Sequence, residues 1–241
     1  MGTSGWYYRD WPGTFYPVHL KKQNFLACYA ESFKTVELNG TFYHLPLDST
    51  AKTWYRSTPR DFVFSVKASR FITHIKKLKD AREPLERFLK WSALLKEKLG
   101  PILFQLPPHW GMDGDRLESF LKLLPKRRPF VFEFRDPSWF CEEIYQRLRH
   151  YQAALCIYDR EGLVSPFVLT APWVYVRFHG PEPRYHGDYS PAALKLWARR
   201  IRQWLADRKQ VFAYFNNDYQ GYAPKNAREL MRLLLKKSSL R

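Results

Sequence analysis

Eight short apolar stretches, most of them separated by enough chain for a helix, constrain the fold more than any other feature of this sequence. Strands that alternate with helical segments form parallel βα units, and eight such units in 241 residues match a closed (β/α)8 barrel. The predicted strands are Gly2–Gly5, Thr35–Asn39, Phe62–Lys67, Ile102–Leu106, Phe130–Arg135, Ala154–Asp159, Val174–Gly180 and Val211–Asn217. We therefore predict an α/β protein with one TIM-barrel domain over residues 1–241.

Cysteine usage and hydropathy predict a soluble protein of the cytoplasm. Cys28, Cys141 and Cys156 are odd in number and widely separated, which is unlike a disulfide framework or a zinc site. No uncharged apolar run approaches the roughly 20 residues that a membrane-spanning helix needs. No basic-then-apolar leader precedes the first predicted strand. We expect cytoplasmic localisation and no membrane partner.

The net charge is +17, from 40 Lys and Arg residues against 23 Asp and Glu residues. A field of this size attracts polyanions, which makes nucleic acid a natural partner. The alternative is a solvated basic surface that keeps the protein soluble, because much of the charge lies in the helical segments Leu194–Lys209 and Arg228–Lys237. Charge alone leaves both interpretations open.

Alternation along the strands predicts a polar layer inside the barrel. In the fifth strand the three phenylalanines suit the helix-facing side, which leaves Glu133 and Arg135 pointing inward. The same alternation turns these residues inward on the other strands: Glu37, Asn39, Lys67, Gln105, Asp159, Arg177, His179 and Asn216. Branched apolar side chains normally fill a barrel interior, so polar residues near the strand ends predict a functional site there.

The cations and amides of this layer predict an anion pocket. Arginine matches phosphate or carboxylate in a bidentate geometry, and barrels often bind phosphate with the loops after strands seven and eight. The predicted phosphate ligands are Lys67, Arg135, Arg177, Asn216 and Asn217. No Walker loop or GxGxxG motif accompanies them.

Two carboxylates and a histidine permit acid–base chemistry in the same pocket. Glu37 and Glu133 are the candidate acid–base residues, and His179, which titrates near neutrality, is the candidate proton shuttle. The structural alternative is an ion-paired layer that fixes the register of the barrel. Secondary candidates near the mouth are Asn39, His74, Gln105, Asp159, Tyr185 and Asp218.

A metal site is the third interpretation of the strand ends. Its best ligands would be Glu37, Glu133, Asp159 and His179. Cationic side chains that converge on the same mouth repel a bare divalent ion. We therefore expect no metal ion and no other cofactor.

At these same positions the sequence resembles the YecE-like family, domain of unknown function 72. The matching motifs are Gly2-Thr3-Ser4-Gly5-Trp6, Phe15-Tyr16-Pro17, Val36-Glu37-Leu38-Asn39, Thr41-Phe42-Tyr43, Lys67–His74, Phe104-Gln105-Leu106-Pro107-Pro108, Glu133-Phe134-Arg135, Ser138-Trp139, Tyr175–Gly180, Tyr185, Tyr189 and Phe215-Asn216-Asn217-Asp218. The resemblance spans Gly2 to about Leu235 and implies a TIM barrel without an established reaction. Asp136 departs from the family, which often has histidine there.

The residues together predict a protein that binds a phosphate-bearing ligand, nucleotide or nucleic acid, at the carboxyl-terminal mouth of a barrel. We hypothesise an enzyme that hydrolyses this ligand by acid–base chemistry. A non-catalytic nucleic-acid-binding protein and a metal-dependent isomerase or nuclease are the two alternatives.

Overall fold

The structure, a computed structural model, describes residues 1–126, 128–161 and 163–235. Its strands are β1 (Gly2–Thr3), β2 (Thr35–Leu38), β3 (Val63–Lys67), β4 (Leu99–Gln105), β5 (Phe130–Glu133), β6 (Ala154–Arg160), β7 (Leu163–Val164), β8 (Trp173–Phe178) and β9 (Gln210–Phe215). The helices are α1 (Phe25–Ser32), α2 (Asp48–Arg56), α3 (Arg82–Ser92), α4 (Gly114–Leu121), α5 (Glu142–His150), α6 (Pro191–Ala206) and α7 (Tyr222–Leu235). Positions 236 and 237 of the predicted basic helical segment lie outside the described residues.

The sheet follows the order β1-β9-β8-β6-β5-β4-β3-β2, and β7 lies off this path. The eight strands on the path, with helices in most of their connections, confirm the predicted (β/α)8 TIM barrel. The short strand β7, which sequence alternation does not predict, pairs antiparallel with β6. Among the described residues, no helix is long and apolar enough to cross a membrane.

The chain divides into two compact units, and the second of them takes in Glu37–Ile157 and Pro166–Pro172. Within it, Phe104 of β4 stacks on Phe132 of β5 with ring centroids 5.3 Å apart. Phe120 of α4 meets Phe104 edge-on at 5.0 Å, so both strand phenylalanines face the helices. Gln105 and Glu133 are register partners one residue further along, and therefore lie on the opposite face.

The first unit takes in Met1–Val36, Tyr158–Ser165 and the chain from Trp173 onward. Within it, Phe178 of β8 stacks on Phe215 of β9 at 4.3 Å and meets Trp197 of α6 edge-on at 4.8 Å. Arg177 and Tyr214 are the preceding register partners, so they lie on the face away from α6.

A tight turn follows β8. Gly180 has a φ of +98°, and a Cβ atom there would lie 2.2 Å from the carbonyl oxygen of His186. Only glycine combines this left-handed backbone with so close an approach. The turn carries the chain from the end of β8 towards Ser190, which caps α6 by accepting a hydrogen bond from Ala193 N.

Asn226 of α7 holds the β8–α6 connection in place. Its Oδ1 accepts hydrogen bonds from Asn217 Nδ2 at 2.8 Å and from Tyr189 N at 3.3 Å. Its Nδ2 donates to Asp188 Oδ1 at 2.7 Å, and the residue is only 1% exposed. One buried amide therefore joins a helix, a strand end and a loop.

We predict that Asn226→Ala lowers the free energy of unfolding by about 2–3 kcal/mol, since it leaves buried polar groups without partners. Urea denaturation measures the loss. The neighbouring variant Lys225→Ala is the control, because the contacts that it removes, with Asp188 and with the Tyr222 ring, are made by an exposed side chain. Equal losses from the two variants would contradict the role assigned to Asn226.

Candidate functional site

The strand ends of the second unit bring positive charge and aromatic rings together. Lys67, the last residue of β3, places its Nζ atom 4.2 Å from the ring centroid of Phe42. The His74 ring meets the same phenyl ring edge-on, with centroids 4.9 Å apart. Thr41 Oγ1 donates to the main-chain oxygen of Lys67 at 2.7 Å, which fixes this strand end. We call the cations Lys67 and Arg135, with the His74 ring that their charges affect, the cationic cluster.

Arg135 is held by a buried carboxylate. Its guanidinium forms an ion pair with Glu133 Oε1, and the Arg135 and Glu133 side chains are 4% and 0% exposed. The Cys156 thiol donates to the other carboxylate oxygen, Oε2, at a Sγ–O distance of 3.7 Å. Both oxygens of Glu133 therefore have partners inside the protein, and the ion pair directs the guanidinium at the end of β5.

Burial and nearby positive charge together determine the protonation state of His74. It lies in the single π-helical turn Phe71–Ile75 that follows β3, and its Nδ1 is 2.9 Å from Thr73 Oγ1. Burial, followed by the charges of Lys67, Arg70 and Arg135, lowers the pKa of His74 to about 4. The imidazole is therefore uncharged at neutral pH, amid positive charge from two strand ends and the turn.

The end of β8 in the first unit carries a second polar group. His179 is 1% exposed, and its Nδ1 accepts a hydrogen bond from Asn216 Nδ2 at 3.1 Å. The rings of Tyr158 and Tyr185 lie 6.2 and 5.3 Å from the imidazole between centroids. The structure thus joins the predicted residues His179, Asn216 and Tyr185.

Two of the predicted site residues, Asp159 and Asn217, direct their side chains to other parts of the protein. Asp159 accepts a hydrogen bond from Trp197 Nε1 of α6 at 2.8 Å, so its carboxylate faces the helix layer and not the barrel interior that alternation predicts. Asn217 donates both to Gly187 O at 2.9 Å and to Asn226 Oδ1. Its amide hydrogens are committed within the protein, which makes Asn217 a support for the loop after β8.

The remaining predicted residues differ in exposure. Glu37 and Arg177 are buried, at 0% and 1% exposed, and Gln105 is half-buried. Asn39 is half-buried, and its Oδ1 atom has no hydrogen-bond partner among the described residues. Asp218 lies in the connection after β9, where burial, followed by the charge of Asp10, raises its pKa to about 6.

Sequence reasoning missed the two residues that shape the cationic cluster most. Phe42 contacts both Lys67 and His74, and Thr41 binds the Lys67 main chain. In the sequence these two residues are marked only by the motif Thr41-Phe42-Tyr43. Because this motif carries no charge, it predicts a structural role in packing and not a place in an anion-binding site. Within the described residues, no three His, Cys, Asp or Glu side chains lie together as metal ligands would.

Comparisons with known proteins agree over the whole chain. The UPF0759 protein YunF of Bacillus subtilis (strain 168) is 28% identical over 268 aligned positions, which cover 97% of this chain and 94% of that protein. The crystal structure of a DUF72 family protein (TM1631) from Thermotoga maritima MSB8 matches with a TM-score of 0.88 and 32% identity, covering 98% of each chain.

A second crystal structure supports the fold alone. It is that of a DUF72 family protein (EF0366) from Enterococcus faecalis V583, with a TM-score of 0.82 and 22% identity, covering 98% of this chain and 95% of that one. The family model described as "Protein of unknown function DUF72" matches residues 1–240. The chain therefore belongs to the DUF72 family.

Proposed function

We propose that the protein binds a phosphate-bearing ligand, a nucleotide or nucleic acid, at the carboxyl ends of β3 and β5. The observation that carries the proposal is the Lys67 ammonium over the Phe42 ring, which the His74 ring also meets, together with the buried Arg135 guanidinium, whose charge helps to lower the pKa of His74. Strand β4 lies between β3 and β5, so the two strand ends are about 10 Å apart. Long cationic side chains reach a common anion across such a gap.

Neighbouring groups complete this site with hydrogen bonds. Gln105 ends β4 on the same face as Glu133, between the two cationic strand ends. The uncharged His74 ring offers a further donor or acceptor. Glu133 orients the Arg135 guanidinium, in the way that a buried carboxylate holds a ligand-binding arginine. In this proposal the main role of Glu133 is to position the ligand-binding Arg135, and a catalytic role is secondary.

We further propose that the protein hydrolyses the bound ligand. A bound phosphate lies beside His74 and raises the pKa of the imidazole from about 4 towards neutrality, where general acid–base catalysis is most effective. The roles of Glu37, Glu133 and His179 in catalysis, and of Arg177 and Asn216 in binding, stay predictions.

Nucleic-acid binding without catalysis is the second candidate function. The net charge of +17 and the exposed cations of α6, among them Lys195 and Arg199, favour it. Phosphate release from a nucleotide or oligonucleotide substrate separates the two candidates. Elemental analysis of the purified protein tests the metal-dependent alternative.

We predict that Lys67→Met weakens binding of a thymine dinucleotide by about 10- to 150-fold, because it removes a charge-assisted contact worth roughly 1.5–3 kcal/mol. Isothermal titration calorimetry measures the affinity. Lys67 is the better choice than Arg135, since removal of Arg135 leaves the buried carboxylate of Glu133 without its ion pair.

The matched control removes two charges from the outer helix, Lys195→Ala with Arg199→Ala. Both residues are exposed on α6. This double variant should leave dinucleotide affinity unchanged and lower the affinity mainly for long single strands. For those strands, each lost phosphate contact should reduce the slope of log binding constant against log salt concentration by about 0.7 in magnitude. Equal, small losses from both variants would favour the surface-charge interpretation over a pocket at Lys67.

We predict that dinucleotide binding tightens as pH falls from 7 towards 5. The phosphodiester stabilises the protonated imidazole, so the complex binds more protons than the free protein between pH 4 and the higher pKa of His74 in the complex. His74→Gln should remove this dependence. Calorimetry in buffers of different ionisation enthalpy measures the proton uptake, and a pH-independent affinity in the unsubstituted protein would refute the placement beside His74.

A further inference from the structure

A groove opens beside the cationic cluster in the second unit. It has a volume of about 650 Å3 and lies between the segment after β2, the turn after β3 and the first turns of α3. The residues of its wall that matter here are Tyr43, His44, Phe71, Glu83 and Arg87. Neither the family description nor the proposed function assigns this groove a ligand.

Two aromatic side chains of the groove, those of Tyr43 and Phe71, are exposed. Tyr43 is 70% exposed and Phe71 is 44% exposed, although rings of this size normally pack inside a protein. Exposed apolar side chains at the wall of one groove mark a binding surface. The two rings come from different segments, the one after β2 and the one after β3. A planar apolar group entering the groove therefore meets aromatic surface from both.

The groove lies next to the cationic cluster, with Phe42 between them. The Tyr43 ring packs edge-on against Phe42 with centroids 5.1 Å apart. Phe42 is the ring beneath Lys67 Nζ and beside His74. One phenyl ring therefore separates the stacking surface of the groove from the cations that we assign to phosphate. A ligand that spans both needs a planar apolar portion joined to an anionic portion by a short linkage.

A carboxylate in the groove wall disfavours a second phosphate as its occupant. The exposed side chains of Glu83 and Arg87 lie one helical turn apart on α3, so the wall presents both a negative and a positive charge. A neutral base edge is compatible with both charges, because it offers donors and acceptors to a carboxylate and a guanidinium. The neighbouring cations, in contrast, complement a phosphate.

We propose that this groove is the base-stacking subsite of a nucleotide or of one nucleotide in a single strand, with Tyr43 and Phe71 as the stacking residues. The inference rests on the proposed function, because the phosphate of the same nucleotide binds at Lys67. Stacking on aromatic side chains tolerates every base, so the subsite distinguishes nucleotides from simple phosphates and not one base from another.

The test compares a thymine trinucleotide with an abasic trinucleotide that carries the same phosphates. The unsubstituted protein should bind the thymine ligand about tenfold more tightly, the contribution expected of one stacked base. Tyr43→Ala and Phe71→Ala should each remove most of that difference and leave affinity for the abasic ligand unchanged. Lys67→Met should weaken both ligands alike.

Tyr151→Ala is the matched control, because Tyr151 lies at the end of α5, ahead of the amino end of β6 and away from the strand ends. It should bind both ligands as the unsubstituted protein does, and a loss equal to that of Tyr43→Ala would overturn the subsite. Equal affinity of the unsubstituted protein for both ligands, still dependent on Lys67, overturns the subsite and keeps the phosphate site. No binding of either ligand overturns both.

Discussion

Stacked phenylalanines on the helix-facing side of the strands are the constraint on which the strand-end chemistry depends. Phe104 and Phe132 fix one pair of strands, and Phe178 and Phe215 fix another. Since successive strand residues alternate in direction, these stacks decide which polar residues face the other way. A slip of one residue would place Glu133 among aromatic rings and turn Phe132 to the polar face in its place. Aromatic packing thus sets the geometry of the polar groups.

The polar face that results carries an energetic cost. Glu133 and Arg135 are both buried, and the desolvation of two charges offsets most of the attraction between them. Because such a pair is weak evidence for stability, its role is better explained by the group that it positions. The ion pair holds a guanidinium at the end of β5, where a flexible side chain would otherwise sample many rotamers. Preorganisation of this kind is what an anion-binding site requires.

The sequence predicts the fold well because its two main signals are local. Hydrophobic segments spaced for helices identify the barrel, and the alternating phenylalanines of β5 give the direction of Glu133. The direction of Asp159 is not predictable in this way. Residues 154–158 of β6 are mainly apolar and show no alternation, and the carboxylate direction is decided by Trp197 of α6, which is distant in sequence. Asn217 follows Asn216, and because both are polar, residue type alone does not predict that Asn216 contacts His179 and Asn217 supports the loop.

The thiol at the centre of the second unit has a chemical consequence. Cys156 is fully buried and donates its proton towards the Glu133 carboxylate. Oxidants and alkylating agents must reach a sulfur atom to react with it, and a fully buried thiol is shielded from them. The Cys156 thiol is therefore unreactive while the fold is intact, and its hydrogen bond to Glu133 is kept in both oxidising and reducing surroundings.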